Sequence, residues 1–326
     1  MNTAHAQLGA VLSAGGPSLA RLLERTEARL AEVAATHGAA LGAHAAGTLA
    51  AGGKRLRPLL VFLCGDGEGE EDARLVAAGA AVELLHMATL VHDDVLDAAE
   101  LRRGRPTVFA EGGRSAATAT GDLLFSRAFA ELAATGSEDA VRALSTASSA
   151  LARGELMQRA DAWDENVAPE RYLERCRLKT ASLFAASCRL GALFGGRPAM
   201  ADPLGRFGEA LGLAFQMLDD VLDVSGPVER TGKPRGTDLL DGTVTLPLIL
   251  ARERDPALRS LDLRAVRTPE QAEALCDAIV ATGVLEDARA DALGIVDAAK
   301  ADLPVLPEAQ QGALELVADG VVDRYS

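Results

Sequence analysis

The sequence predicts an all-α protein, on three observations. Its 326 residues are 48% hydrophobic but only 3% aromatic, so Ala, Leu and Val must build the core. Ala- and Leu-rich stretches with few β-branched runs favour helix. Apolar residues recur at helical spacing, and no alternating segment of useful strand length is present. No linker divides the chain, so a single domain over 1–326 is expected, with residues 1–17, which hold Gly15, Gly16 and Pro17, as a flexible arm.

In chain order, Leu19, Leu22, Leu23, Leu30 and Val33 predict an amphipathic helix over 18–36, and a second follows over 39–50. Gly52-Gly53-Lys54-Arg55-Leu56-Arg57-Pro58 precedes an apolar run over 59–64. A long helix is expected over 72–98, ending in His86-Met87-Ala88-Thr89-Leu90-Val91-His92-Asp93-Asp94-Val95-Leu96-Asp97. Arg102-Arg103-Gly104-Arg105-Pro106-Thr107 reads as a loop. Helices follow over 115–134, 138–160, 170–178, 180–194 and 203–224. A Gly- and Pro-bearing loop covers 225–243, and a short apolar helix starts near Thr245-Leu246-Pro247. Three amphipathic helices complete the chain over 268–282, 284–302 and 307–324, the first opened by Thr268-Pro269-Glu270.

Bulk properties exclude several function classes. A net charge of −14 argues against nucleic acid as a partner, because phosphate-backbone binding needs a basic surface. Cys64, Cys176, Cys188 and Cys276 show neither metal-ligand spacing nor a disulfide framework, so a reducing cytoplasm is expected. No signal peptide and no transmembrane helix are expected, since charged residues and histidines break the best apolar run.

The chemistry lies in a repeated pentapeptide. Asp93 to Asp97 and Asp219 to Asp223 both read Asp-Asp-Val-Leu-Asp, and each closes a long apolar helix. Carboxylates at the C-terminal end of a helix oppose its dipole, so a purely solvated role is a poor physical reading. Asp93 and Asp97 share one helix face, with His86 two turns earlier on it. If the two helices face each other, six carboxylates need bridging cations. Hard oxygen ligands suit Mg²⁺, which completes its shell with water and substrate phosphate. Clustered cations support a diphosphate: Lys54, Arg55 and Arg57 beside two glycines, and Arg102 and Arg103 just past the first acidic helix. Lys179 and Lys233 are isolated candidates.

These residues resemble the trans-isoprenyl (polyprenyl) diphosphate synthases over nearly the whole chain. The markers are Gly-Gly-Lys-Arg-Leu-Arg-Pro at 52–58, Glu83 through Asp97, Arg102-Arg103-Gly104, Lys179-Thr180, Phe215-Gln216 with Asp219, Asp220 and Asp223, and Gly232-Lys233 with Asp238. The resemblance implies a bundle of long antiparallel helices around a deep central cavity, of the isoprenoid synthase type, usually as a homodimer. It implies head-to-tail condensation of isopentenyl diphosphate onto an allylic diphosphate. Lys54, Arg57, His86 and Arg103 would hold isopentenyl diphosphate. Arg102, Lys179, Thr180, Gln216 and Lys233 would serve the allylic diphosphate. Asp93, Asp97 and Asp219 would be the main Mg²⁺ ligands, with Asp94, Asp220 and Asp223 in direct or water-mediated support.

The residues in hand suit that chemistry. Mg²⁺, Arg and Lys stabilise a departing diphosphate, and an apolar wall shields the allylic cation from water. No dedicated protein base is evident, so the proton is expected to leave with the diphosphate. One departure stands out: Gly242-Thr243-Val244-Thr245-Leu246-Pro247 places Thr243 where the family often has lysine.

Chain length should be read on the helix before Asp93. Ala88 and Thr89, five and four residues earlier, are small where bulky aromatics would close the cavity. In the family this resembles synthases whose products exceed farnesyl length. A long-chain product of the quinone-tail type is expected, to be passed to membrane enzymes, with geranylgeranyl diphosphate as the alternative. Met87 and Phe125 are deeper candidates for the cavity floor. A non-catalytic subunit of a heteromeric synthase and a class I terpene cyclase are the competing classes; both intact Asp-Asp-x-x-Asp sets argue against the first.

Overall fold

The computed structural model describes residues 3–35, 39–50, 55–65, 72–102, 104–226 and 235–323. The regular structure of these residues is helical, except for an antiparallel pair of two-residue strands, β1 (Leu101–Arg102) and β2 (Arg105–Pro106). This hairpin occupies the stretch expected as a loop, and it turns at Gly104 with φ 74°. The chain divides into two compact units. Unit 1 holds Met1–Ser148, Leu183–Gly208 and Leu303–Val317, and unit 2 holds Ser149–Ser182, Glu209–Asp302 and Ala318–Ser326.

Unit 1 is built around α5 (Asp72–Leu96). Before it come α1 (Thr3–Ala14), α2 (Gly16–Ala35), α3 (Ala39–Ala50) and α4 (Leu56–Cys64). After the hairpin comes α6 (Val108–Ala133), against which α5 packs most extensively, with α2 and α4 also on its surface. By length and composition α5 could cross a membrane, yet 72% of its most apolar stretch is buried inside the protein. Helix α6 starts earlier than the predicted 115 because Thr107 caps it, accepting a bond from the Ala110 N–H at 3.0 Å. A kink at Gly113, with φ 73°, separates that first turn from the straight part that the periodicity revealed.

The stretch expected as a flexible arm, residues 1–17, holds a helix. Thr3–Ala14 is helical and Val11 is buried. Gly16, with φ 75°, makes the turn into α2. Gly15 and Gly16 stand at the junction of the two helices.

Helices α7 (Glu138–Ala160) and α10 (Ala201–Ser225) run through the division points, so the chain passes between units within helices there. Between them lie α8 (Pro169–Cys176), one π-helical turn (Arg177–Ala181) and α9 (Ser182–Phe194). In unit 2, the helix Leu246–Arg254 packs on Val284–Ala301, and the short helix Thr237–Leu240 packs on Pro269–Ala281. Thr268 and Gln271 form a reciprocal capping box at the start of Pro269–Ala281, where the sequence signalled it. All four cysteines are free and buried.

Candidate active site

Each acidic motif ends its helix in a different way. In unit 1, α5 stops at Leu96, leaving Asp97 exposed and Asp93 half-buried, while Asp94 is only 4% exposed. Arg102, on β1, donates from Nε to Asp94 Oδ1 at 2.7 Å. Burial raises the Asp94 carboxyl above its ordinary value, the Arg102 charge pulls it back, and Asp97 adds to the rise. The last turn is also tied to α6, where His92 Nε2 lies 3.3 Å from Asp122 Oδ1. His86 and Ala88 lie on the same helix, Ala88 with no exposure at all. The Thr89 hydroxyl turns back to donate to the His86 carbonyl at 2.7 Å.

Arg55 and Arg57 part company in the structure. Arg55 donates to Glu27, to the buried Glu83 at 2.7 Å and to the Leu49 carbonyl. It therefore neutralises Glu83 and is not a spare cation for an anion, as the clustering alone suggested. The Arg57 guanidinium lies 4.8 Å from the centre of the Phe184 ring. Lys54, Arg103 and Lys233 lie outside the described residues.

A cavity of about 230 Å³ opens beside the buried Asp94–Arg102 pair, bounded by Met87 and Leu90 of α5, His44 of α3 and Val108 of α6. Met87, one of the deeper residues considered for a floor, lines it, whereas Ala88 and Thr89 do not. Phe125, the other, sits on α6 at 36% exposure, its ring 5.2 Å from that of Phe129.

In unit 2 the middle aspartate of the second motif is bound by neutral donors. Asp220 is 4% exposed, and both of its oxygens accept hydrogen bonds. The Tyr172 hydroxyl donates to Oδ2 at 2.7 Å, and the Gln216 amide donates to Oδ1 at 2.8 Å. Gln216 in turn accepts from the Thr180 hydroxyl at 2.7 Å. The structure thus joins Thr180 and Gln216, both singled out from the sequence, to Asp220 through one chain of hydrogen bonds. Burial and then the nearby Asp238 push the Asp220 carboxyl up to about 8; the Tyr172 and Gln216 bonds oppose the rise and Asp219 adds to it. Asp223 is buried, and its Oδ2 accepts from the Asp238 N–H at 3.3 Å. Asp219 remains half-buried. Thr243 is half-buried, with its N–H on the Asp238 carbonyl at 2.8 Å.

Tyr172, Asp238 and Glu155 were not singled out as site residues from the sequence. A signal for Tyr172 existed: Tyr172, Cys176 and Thr180 recur at four-residue spacing. Nothing in the sequence tied it to Asp220, 48 residues later.

A sequence profile of the polyprenyl synthetase family matches residues 40–282. The chain belongs to that family. It is a prenyltransferase, a synthase of prenyl diphosphates. The heptaprenyl diphosphate synthase component 2 of Geobacillus stearothermophilus is 44% identical over 215 residues, which is 65% of this chain and 66% of that protein. The geranylgeranyl diphosphate synthase of Methanosarcina mazei is 34% identical over 281 residues, 84% of this chain and 86% of that one. The solved polyprenyl synthase of Caulobacter crescentus, complexed with calcium and isoprenyl diphosphate, superposes with a TM-score of 0.88 at 34% identity, covering 98% of each chain. The fold is accordingly the all-α isoprenoid-synthase fold.

The residues fit a hard divalent cation. Burial raises the Asp220 carboxyl, and the nearby Asp238 and Asp219 add to the rise, a field that a bound cation would oppose. The donors are carboxylate oxygens, as Mg²⁺ and Ca²⁺ prefer. Among the described residues no three His, Cys, Asp or Glu side chains converge closely enough to cage an ion alone. An ion at either motif would draw part of its shell from water or phosphate.

Proposed function

We propose that this prenyltransferase condenses isopentenyl diphosphate head-to-tail with an allylic diphosphate, using Mg²⁺, to give a long-chain all-trans polyprenyl diphosphate. The observation that carries the reading is the division of labour inside each acidic motif. The middle aspartate is buried and taken up by protein donors, Arg102 for Asp94 and Tyr172 with Gln216 for Asp220. Asp93, Asp97 and Asp219 are more exposed than the middle aspartates and would be the main Mg²⁺ ligands. Asp94, Asp220 and Asp223 support them by fixing the helix ends.

When bound, Mg²⁺ stabilises the negative charge of the departing diphosphate. Lys179 donates to the allylic diphosphate, and Thr180 serves the same group once its single hydroxyl hydrogen leaves Gln216. Lys233 and Arg102 serve the same group, the latter with the guanidinium nitrogens that Asp94 does not engage. Lys54, Arg57, His86 and Arg103 hold isopentenyl diphosphate. By the family resemblance the small Ala88, five residues before Asp93, takes the product-length role. A homodimer in the cytoplasm, folded as one domain across both units, completes the reading.

Purified chain with Mg²⁺, isopentenyl diphosphate and farnesyl diphosphate tests it. Consumption of isopentenyl diphosphate and a product beyond twenty carbons after dephosphorylation are expected. A product that stops at twenty carbons would favour the geranylgeranyl alternative, which the Methanosarcina relative represents. Ala88→Phe should shorten the product in either case. A second reading is favoured by the Geobacillus relative, whose name makes it one component of a synthase. Under that reading the purified chain is inactive alone and gains activity only with a different subunit.

A further inference from the structure

We propose that Glu155 is a positioning residue that holds the Lys179 ammonium ready for a diphosphate and so sets the affinity for that group. The inference rests on Lys179 being a diphosphate contact, as argued above. The geometry begins with the backbone. The turn Arg177–Ala181 is π-helical, with the Ser182 N–H reaching back to the Arg177 carbonyl. The extra residue of such a turn widens the helix and re-aims the side chains it carries. Helix α7 is pressed against this turn at Gly154, where an added Cβ would lie 2.5 Å from the Lys179 nitrogen and 2.8 Å from its Cα. Only a residue without a side chain admits that approach.

The next residue of α7 uses the close contact. Lys179 Nζ donates to Glu155 Oε2, while Arg159 Nε donates to Glu155 Oε1 at 2.8 Å. Both groups of the pair are mostly sheltered, Lys179 at 27% and Glu155 at 16% side-chain exposure. Burial alone would raise the Glu155 carboxyl, but Lys179 and Arg159 outweigh it and hold it below its ordinary value. Glu155 therefore stays charged. Arg159 offsets its negative field, so an approaching anion does not meet a bare carboxylate.

Such a tether suits a lysine. Its long stem carries much rotamer entropy, which an unrestrained side chain would lose only on binding. Its ammonium has three N–H donors. One donor on Glu155 leaves two for a phosphate oxygen. The single hydroxyl hydrogen of neighbouring Thr180 is engaged by Gln216, so in the ligand-free protein Lys179 is the donor that the turn presents.

The test compares calorimetric binding of inorganic diphosphate with Mg²⁺ and the KM of each substrate. Glu155→Ala should weaken diphosphate binding about tenfold, the worth of one well-placed hydrogen bond to a charged group. It should raise KM for the allylic diphosphate and leave that for isopentenyl diphosphate unchanged. Glu155→Gln keeps a carbonyl oxygen for Nζ and should restore most of the loss. In a Lys179→Ala background, Glu155→Ala should add nothing. Unchanged or tighter binding in Glu155→Ala would overturn the inference, as would an effect that persists without Lys179. If Lys179→Ala alone leaves diphosphate binding intact, the reading of Lys179 fails and the inference with it. If Lys179→Ala weakens binding and Glu155→Ala does not, only the inference fails.

Discussion

The two Asp-Asp-Val-Leu-Asp motifs are identical in sequence and held in opposite ways. In the first, a cation satisfies the buried middle aspartate: Arg102 reaches Asp94 from the hairpin that follows the helix. Its helix ends before the motif does, and Asp97 is exposed. In the second, neutral donors satisfy Asp220, and the helix continues to Ser225, which buries Asp223 on the backbone of the helix Thr237–Leu240. Five identical residues thus give one middle aspartate held by a cation and one held by neutral donors. The lesson is that a carboxylate motif defines a need for positive charge, and its surroundings decide how much of that need the protein meets itself.

The largest effect expected of this comparison concerns the first aspartates, which are alike in both motifs. Asp93→Ala and Asp219→Ala should each lower kcat by roughly two to three orders of magnitude, the range seen when one electrostatic contact to a transition state is removed. Circular dichroism should show the helical content unchanged. A loss at Asp93 with none at Asp219 would break the equivalence of the motifs.

Ligand stabilisation should come next. Mg²⁺ with inorganic diphosphate at a hundred times its Kd should stabilise the fold by about 2.7 kcal/mol, read as a rise in Tm. Asp219→Ala should abolish this rise, and chelation of Mg²⁺ should reverse it in the unaltered protein.

The middle aspartates should then differ in stability. Asp220→Ala leaves the fully buried Tyr172 hydroxyl without its acceptor, at a cost of about 1–3 kcal/mol. Asp94→Ala leaves Arg102, which is 36% exposed and can turn to water, so its effect should be smaller, under about 1 kcal/mol. Urea denaturation of both variants checks the order, and the reverse order would show that Arg102 is the more tightly confined partner.

Tyr172→Phe should fall between these two, at about 1 kcal/mol, because Gln216 still donates to Asp220. Combined with Asp220→Ala it should cost little more than Asp220→Ala alone, since the orphaned hydroxyl is then gone.

The sequence by itself determined the helical class, most helix positions and the acidic motifs, because helix periodicity, caps and paired carboxylates are local signals. Thr268 with Gln271 and the repeated pentapeptide were legible for that reason. The helix Thr3–Ala14 was not legible, because Gly15 and Gly16 signal a turn equally well at a loose end and between two helices. Only the tertiary structure decided which charges are already engaged. Arg55 is committed to Glu27 and Glu83, Arg102 to Asp94, and Lys179 to Glu155. Apart from Arg102 and Asp94, these partners lie more than twenty residues apart in the chain. Their pairing depends on which helix faces meet, and local residue spacing carries no record of that.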